Sequence, residues 1–423
     1  MRKKILIVVP SMPYPINSGG RIIQFQINNR LSVKHDVSLM FPLRIQDKTL
    51  LDDFARTLPD IRMIPLNIEQ TLFQMMAHLV RRTETFVNRI LFNVGFWLRS
   101  TTSQDKLLRK ETTLFRSRDH AIPSTFEEEF RSFVKDNNFD IVQIEFHQLI
   151  HFGKWIPDTS FKVFIYHEIR HIREMRELEI YSFKSRIFSN LYAGNMKYEI
   201  TSLNHFNLIC TLSENDKAVV ENTNPSIVAI ASPIAPACTP DGPEFYFNNT
   251  LVFLGGEDHL PNKEGVDWFL QNCFPLIKIK NNDIRFKIVG KWHAETIKHY
   301  TSKYSGLYFN GFVEDLGDAI RGCIFVVPIR IGSGIRMKIF DAVNSCIPFV
   351  TTTTGVEGLD FKHEKDCLIA DSPEDFTNAI LRILNDLSFA RILAKEAKRT
   401  LSVKYNYEKL IQERLNIYDT YSI

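Results

Sequence analysis

The sequence predicts an α/β protein of two doubly wound domains facing a cleft, and three observations carry that prediction. Short apolar, β-branched runs alternate with stretches of helical period along most of the chain, as in parallel sheets joined by helical crossovers. The alternation stops once, at a stretch with four prolines in the 12 residues 232–243, and then restarts. At 423 residues the chain is long enough for two domains of ordinary size.

Strands are expected at 4–9, 36–41, 139–146, 162–166, 208–212 and 227–231 before the break. After it they are expected at 250–254, 286–289, 306–309, 323–327, 349–352 and 367–370. This gives an N-terminal domain over 1–235, a linker over 236–249, a C-terminal domain over 250–395 and a helical tail over 396–423 broken near Ser402 and Val403. The opening Met1-Arg-Lys-Lys-Ile-Leu-Ile-Val-Val-Pro10 has an apolar run of only five residues, too short for a signal peptide and right for a first buried strand.

Composition narrows the class. Hydrophobic residues are 44% and charged residues 24%, ordinary for a globular chain, and a formal net charge of +3 gives no footprint for nucleic acid. The six cysteines form no C-x-x-C pair and several lie inside apolar runs, so they read as small core residues in a reducing compartment, and a cytoplasmic location is expected. No run approaches the ~20 apolar residues of a membrane span. Residues 77–118 do carry nine Lys or Arg against three acids, interleaved with Phe86, Phe92, Phe96 and Trp97. That pattern suits either a surface helix or a peripheral contact with an anionic membrane face, and the basic, aromatic stretch 170–197 poses the same choice.

The most informative segment is Pro328-Ile-Arg-Ile-Gly-Ser-Gly-Ile-Arg-Met-Lys-Ile-Phe-Asp341. It joins a buried strand to a helical pattern, with Gly332 and Gly334 for close backbone approach and Ser333 as the candidate helix N-cap. Arg336 and Lys338 fall in the first turn, where cations oppose the helix dipole unless an anion sits there too. A helix N-terminus at the carboxyl end of a parallel strand is where phosphates bind in such folds. A second loop of this kind contains Gly19 and Gly20, whose backbone N–H groups can approach a diphosphate or sugar.

Several chemistries fail on spacing. The Gly19-Gly20 loop is no G-x-G-x-x-G fingerprint, and no acidic residue follows the second strand where a nicotinamide enzyme needs one. His167-Glu-Ile-Arg-His171 matches H-E-x-x-H, but it comes straight off a strand, so its two histidines do not share a helix face and His167 reads instead as a polar contact at the sheet's carboxyl edge. The chain has no G-x-x-x-x-G-K-[ST], no G-x-S-x-G elbow and no Asp-x-Asp metal-chelating pair.

Taken together, these segments resemble a GT-B glycosyltransferase close to the retaining family 4 enzymes. The resemblance runs through the Gly-Gly loop, Tyr166-His-Glu168, Thr211-Leu-Ser-Glu214, Phe253-Leu-Gly-Gly256, Phe286-Lys-Ile-Val-Gly290, Asn310-Gly-Phe-Val313 and the run 327–359. It implies a nucleotide-diphosphate sugar on the C-terminal domain, a glycan or lipid-linked acceptor on the N-terminal one, and phosphates held by cations and helix N-termini with no cofactor and no required metal. The family's paired glutamates, eight positions apart, fall here on Ser333 and Asp341. Asp341 is then the ribose ligand, while Ser333 lacks the carboxylate that meets the donor sugar, and Gly355, Val356 and Glu357 are expected beside that sugar. Where relatives place Arg and Lys on the diphosphate, this chain has Gly256-Glu-Asp-His-Leu-Pro-Asn262, so Arg336 and Lys338 are expected to replace those cations, with His167 facing the sugar or acceptor. The altered acidic pair keeps two alternatives open, a catalytically silent nucleotide-binding protein and a sugar-nucleotide epimerase.

Overall fold

The structure is a computed structural model that describes residues 2–16, 19–67, 122–181, 186–240 and 244–421. The basic segment 77–118 lies outside the described residues. Among the described residues no helix is long and apolar enough to cross a membrane.

The first sheet has seven strands: β1 Lys4–Val8, β2 Asp36–Leu43, β3 Arg62–Asn67, β4 Ile141–Glu145, β5 Phe161–Tyr166, β6 Leu208–Thr211 and β7 Ala229–Ala231. Their order is β3-β2-β1-β4-β5-β6-β7, and every pairing is parallel. The second sheet has six: β8 Thr250–Leu254, β9 Arg285–Val289, β10 Leu307–Phe309, β11 Ile324–Val327, β12 Phe349–Thr351 and β13 Leu368–Ile369. They follow the order β10-β9-β8-β11-β12-β13, again all parallel. Central strands such as Ile5–Val8 and Ile324–Val327 are fully buried, because a parallel sheet is covered on both faces and its strands read as unbroken apolar runs. In both sheets the strand order reverses beside the first strand, so the carboxyl-end loops of β1 and β4 and of β8 and β11 flank the two switch points where ligands bind in this architecture.

Two sequence expectations change. Strand β3 was not anticipated: its Arg62-Met-Ile-Pro-Leu-Asn67 has no clean apolar run, and Pro65 is tolerated because β3 is an edge strand with only β2 beside it among the described residues. The tail is not one unit broken near 402. Helix Leu387–Lys404 continues through Ser402 and Val403 and buries Leu393, Ala397 and Leu401 in the C-terminal core. The break falls at Tyr405 and Asn406, where the Asn406 side chain caps helix Tyr407–Thr420 by accepting from Lys409 N–H at 3.0 Å. That last helix returns to the N-terminal domain and packs Ile411, Leu415 and Tyr418 among Ile5, Ile7 and Val37.

Within the stretch 170–197, helix Arg170–Ile180 does not have the character of a membrane-facing helix. In helix Arg170–Ile180 the charged residues Arg170, His171, Arg173, Glu174 and Glu177 are the buried ones. Arg170 pairs with Glu174 at 3.2 Å and Arg173 with Glu177 at 3.1 Å, so the charges satisfy one another inside the domain, the reverse of an interfacial helix.

Candidate active site between the two sheets

The 328–341 segment leaves β11 and turns into helix Met337–Asn344, whose N-cap is Arg336 rather than Ser333. Ser333 lost the capping role to a partner in the other domain: its buried Oγ accepts from Ile169 N–H at 2.6 Å and donates to the Ile169 carbonyl at 3.0 Å. Gly334 is required here. Its φ is 75°, and a methyl group at that position would overlap the His167 carbonyl oxygen. The 328–341 loop and the end of β5 thus meet directly across the cleft.

Arg336 folds back over its own loop. Its Nη1 donates to the carbonyls of Ser333 at 2.6 Å and Gly334 at 2.8 Å, while Nε and Nη2 are shielded from solvent and have no hydrogen-bond partner among the described residues. Burial pushes this guanidinium downward, opposed by the carboxylates of Glu168 and Glu357. Lys338 Nζ donates to Asn262 Oδ1 at 2.7 Å and lies 4.2 Å from the centre of the Phe253 ring. Burial and the neighbouring Arg336 bring its ammonium down to about 7, with Asp341 pulling the other way. Neither cation has an ion-pair partner within 4.0 Å among the described residues.

Around them stand residues that the sequence did not single out. Asn262, in the first turn of helix Leu260–Asn272, is buried and also donates to the Gly256 carbonyl at 2.9 Å. His259 precedes that helix; burial, with Arg173, Lys338 and Arg336 nearby, brings its imidazolium down to about 4, with Glu168 pulling the other way. Glu168 bonds Arg173 at 3.1 Å; burial pushes its carboxyl up, yet Arg173 and Arg170 prevail and hold it at about 2. The buried first-turn Asn262 was the legible signal, since Asn seldom sits inside a helix without a polar partner. Lys263, the next residue of that helix, pairs with Asp267 at 2.9 Å.

The other expected residues are placed as follows. His167 directly follows β5, with Nε2 at 3.0 Å from Glu145 and its ring stacked on Phe146. His171 is held by Glu199 at 2.8 Å, and Glu199 also accepts from the N–H groups of Arg170 and His171, capping their helix. Among the described residues no group of three His, Cys, Asp or Glu is disposed around a metal position. Gly19 and Gly20 open helix Gly19–Lys34 directly after the β1 loop. Asp341, one turn after Lys338, lines a cavity of about 410 Å³ with Thr239, Tyr246, Leu316, Gly322 and Asn344; burial raises its carboxyl to about 6.

Gly355, Val356 and Glu357 do not present free groups to the cleft. The Gly355 N–H is taken by Thr352 Oγ1 at 2.9 Å, Val356 is core, and Glu357 accepts two bonds from Arg176 at 2.6 and 2.7 Å. Arg176 also reaches the Gly332 carbonyl, so one guanidinium from the N-terminal domain fastens both C-terminal loops.

Comparison with known proteins agrees with this architecture. Residues 248–386 match the profile of the family "Glycosyl transferases group 1". A Klebsiella pneumoniae protein described as "Uncharacterized 44.6 kDa protein in cps region" is 22% identical over 96% of this chain and 97% of its own length. Among solved structures, sucrose-phosphate synthase from Thermosynechococcus elongatus superposes with a TM-score of 0.65 at 13% identity, covering 99% of this chain and 98% of its own. A variant of S. aureus TarM, in complex with fondaparinux, α-GlcNAc-glycerol and UDP, gives 0.65 at 11% identity over 99% and 100%. Anabaena HepE, in complex with UDP and glucose, gives 0.63 at 11% over 99% and 100%. The chain has the GT-B fold, two Rossmann-like domains with parallel sheets.

Proposed function

We propose that this chain is a glycosyltransferase that moves a sugar from a nucleotide-diphosphate sugar to a glycan or lipid-linked acceptor in the cleft. The observation that carries the reading is the pair Arg336 and Lys338, two partly buried cations at a helix N-terminus with no carboxylate bonded to either among the described residues. A buried cation without a counter-charge is costly, and a diphosphate supplies the missing charge at the place where a helix N-terminus already favours an anion. The family match over 248–386 covers this site. HepE and TarM, which share the fold, are described in complexes with UDP.

In this mechanism the bond between sugar and phosphate breaks as negative charge grows on the leaving diphosphate. Arg336 and Lys338 stabilise that charge, and one such preorganised group is worth ~3 kcal/mol of barrier. Asp341 takes the ribose hydroxyls, the cavity beside it takes the nucleoside, and no metal is needed because protein cations do the neutralising. Transfer with retention follows the family 4 resemblance. An acceptor belonging to a surface polysaccharide is supported by the relative from a cps region.

The test is calorimetric titration of the protein with UDP, GDP, ADP and dTDP. One nucleotide is expected to bind, to lose at least ~10²-fold in affinity or turnover in Arg336→Ala, and to bind equally well in EDTA. Binding of none of the four, or near-normal behaviour of Arg336→Ala, overturns the assignment.

A further inference from the structure

Across the cleft from the cations lies a chain of side chains that the phosphate site does not use. Glu145 ends β4 and is 3% exposed, and its carboxylate collects three donors. Gln143 Nε2 donates to Oε1 at 2.7 Å, Gln24 Nε2 donates to Oε2 at 2.7 Å, and His167 Nε2 lies 3.0 Å from Oε2. The amide of Gln143 is itself oriented, because the Tyr418 hydroxyl from the last helix donates to Gln143 Oε1 and so turns the amide N–H group toward Glu145. A carboxylate only accepts, so the ring nitrogen of His167 that faces it carries the hydrogen. Phe146 covers one face of the ring at 4.1 Å between centroids and 10° between planes, which resists a flip that would exchange the two nitrogens. Nδ1 is left as the acceptor, on a side chain that is 23% exposed.

We propose that Glu145 is a positioning residue: it holds His167 as the Nε2–H tautomer, so that Nδ1 accepts a hydrogen bond from a hydroxyl of the carbohydrate bound in the cleft. The donors Gln24, Gln143 and His167 converge on Glu145 from the first helix, from β4 itself and from the loop after β5; a buried carboxylate is expensive to desolvate, and a packing role alone would be filled more cheaply by an apolar side chain. The element that steadies the array is the C-terminal helix, through Tyr418. This inference rests on the glycosyltransferase reading for the identity of the hydroxyl, but not for the tautomer.

Two measurements test it. Long-range ¹H–¹⁵N spectra of the full chain with labelled histidine, assigned with His167→Gln, should show His167 with its hydrogen on Nε2. In Glu145→Gln that preference should be lost, since a carboxamide can offer the ring either an oxygen or an NH₂ group. Hydrogen on Nδ1 in the unaltered protein, or identical spectra for the two proteins, overturns the proposal. With the nucleotide sugar identified by titration, Glu145→Gln should lower kcat about tenfold or more while nucleotide affinity stays unchanged. An unchanged kcat overturns the role in transfer. Should Glu145→Gln fail to fold, Tyr418→Phe frees the Gln143 amide and should move both readouts in the same direction by less; no movement in either overturns the proposal. Failure of nucleotide binding in the unaltered protein would instead remove the glycosyltransferase reading, which the spectra do not depend on.

Discussion

Lys338 gives the site a pH signature. Its ammonium, lowered to about 7 from an ordinary 10.5, is charged below that value in the free protein and increasingly neutral above it. A diphosphate binds the charged form, so nucleotide affinity should be full below about 7 and fall as pH rises, with a proton taken up on binding near neutrality. The stability linkage has the matching sign. The folded state binds fewer protons than the unfolded one between about 7 and 10.5, so the burden of the buried charge is full below that window and is relieved as pH rises through it. Titrations in buffers of different ionisation heat measure the uptake directly; heats independent of buffer would exclude Lys338 as the titrating group. The cations were legible in the sequence because charge pattern and helix position are local properties. Asn262 was not singled out, since its bond to the Lys338 ammonium, 2.7 Å away, joins positions 76 apart along the chain.

At the scale of elements, the 12 strands expected from apolar runs correspond to β1, β2 and β4–β13, because a parallel strand buried on both faces must be apolar throughout. Only β3 escaped, for the edge-strand reason already given. Loops were harder. Ser333 carries the letter of an N-cap, yet a tertiary partner, the Ile169 backbone, took its hydroxyl. The adjoining Gly334 is the sharper test of this loop. Gly334→Ala places a side chain in a left-handed conformation that costs ~1–2 kcal/mol and drives it into the His167 carbonyl, so the melting temperature should fall by several degrees. A change below about one degree would mean that the loop does not seat against β5 as described.

Across the whole molecule, the two domains are joined by the Arg176–Glu357 fork, the Ser333–Ile169 bonds and the Gly334–His167 contact. The fork unites residues 181 positions apart, a pairing that no local pattern announces, so the sequence offered Glu357 without its arginine. A double-mutant cycle of Arg176→Ala and Glu357→Ala should give a coupling of about 1–3 kcal/mol in unfolding, since a bidentate, partly buried pair is stronger than a surface one. A coupling near zero would reduce the fork to an incidental contact. Because both side chains are 20–25% exposed, that coupling should survive moderate salt only in part.

The return of helix Tyr407–Thr420 to the first sheet has a consequence for biosynthesis. A chain leaving the ribosome usually completes its first domain while the second is still being made. Here the N-terminal sheet can pair its strands early, but the face that needs Ile411, Leu415 and Tyr418 stays open until those residues emerge, after the whole C-terminal sheet has been translated. The two halves are therefore finished together, and the apolar face around Ile5, Ile7 and Val37 is the surface that chaperones would meet in the interval.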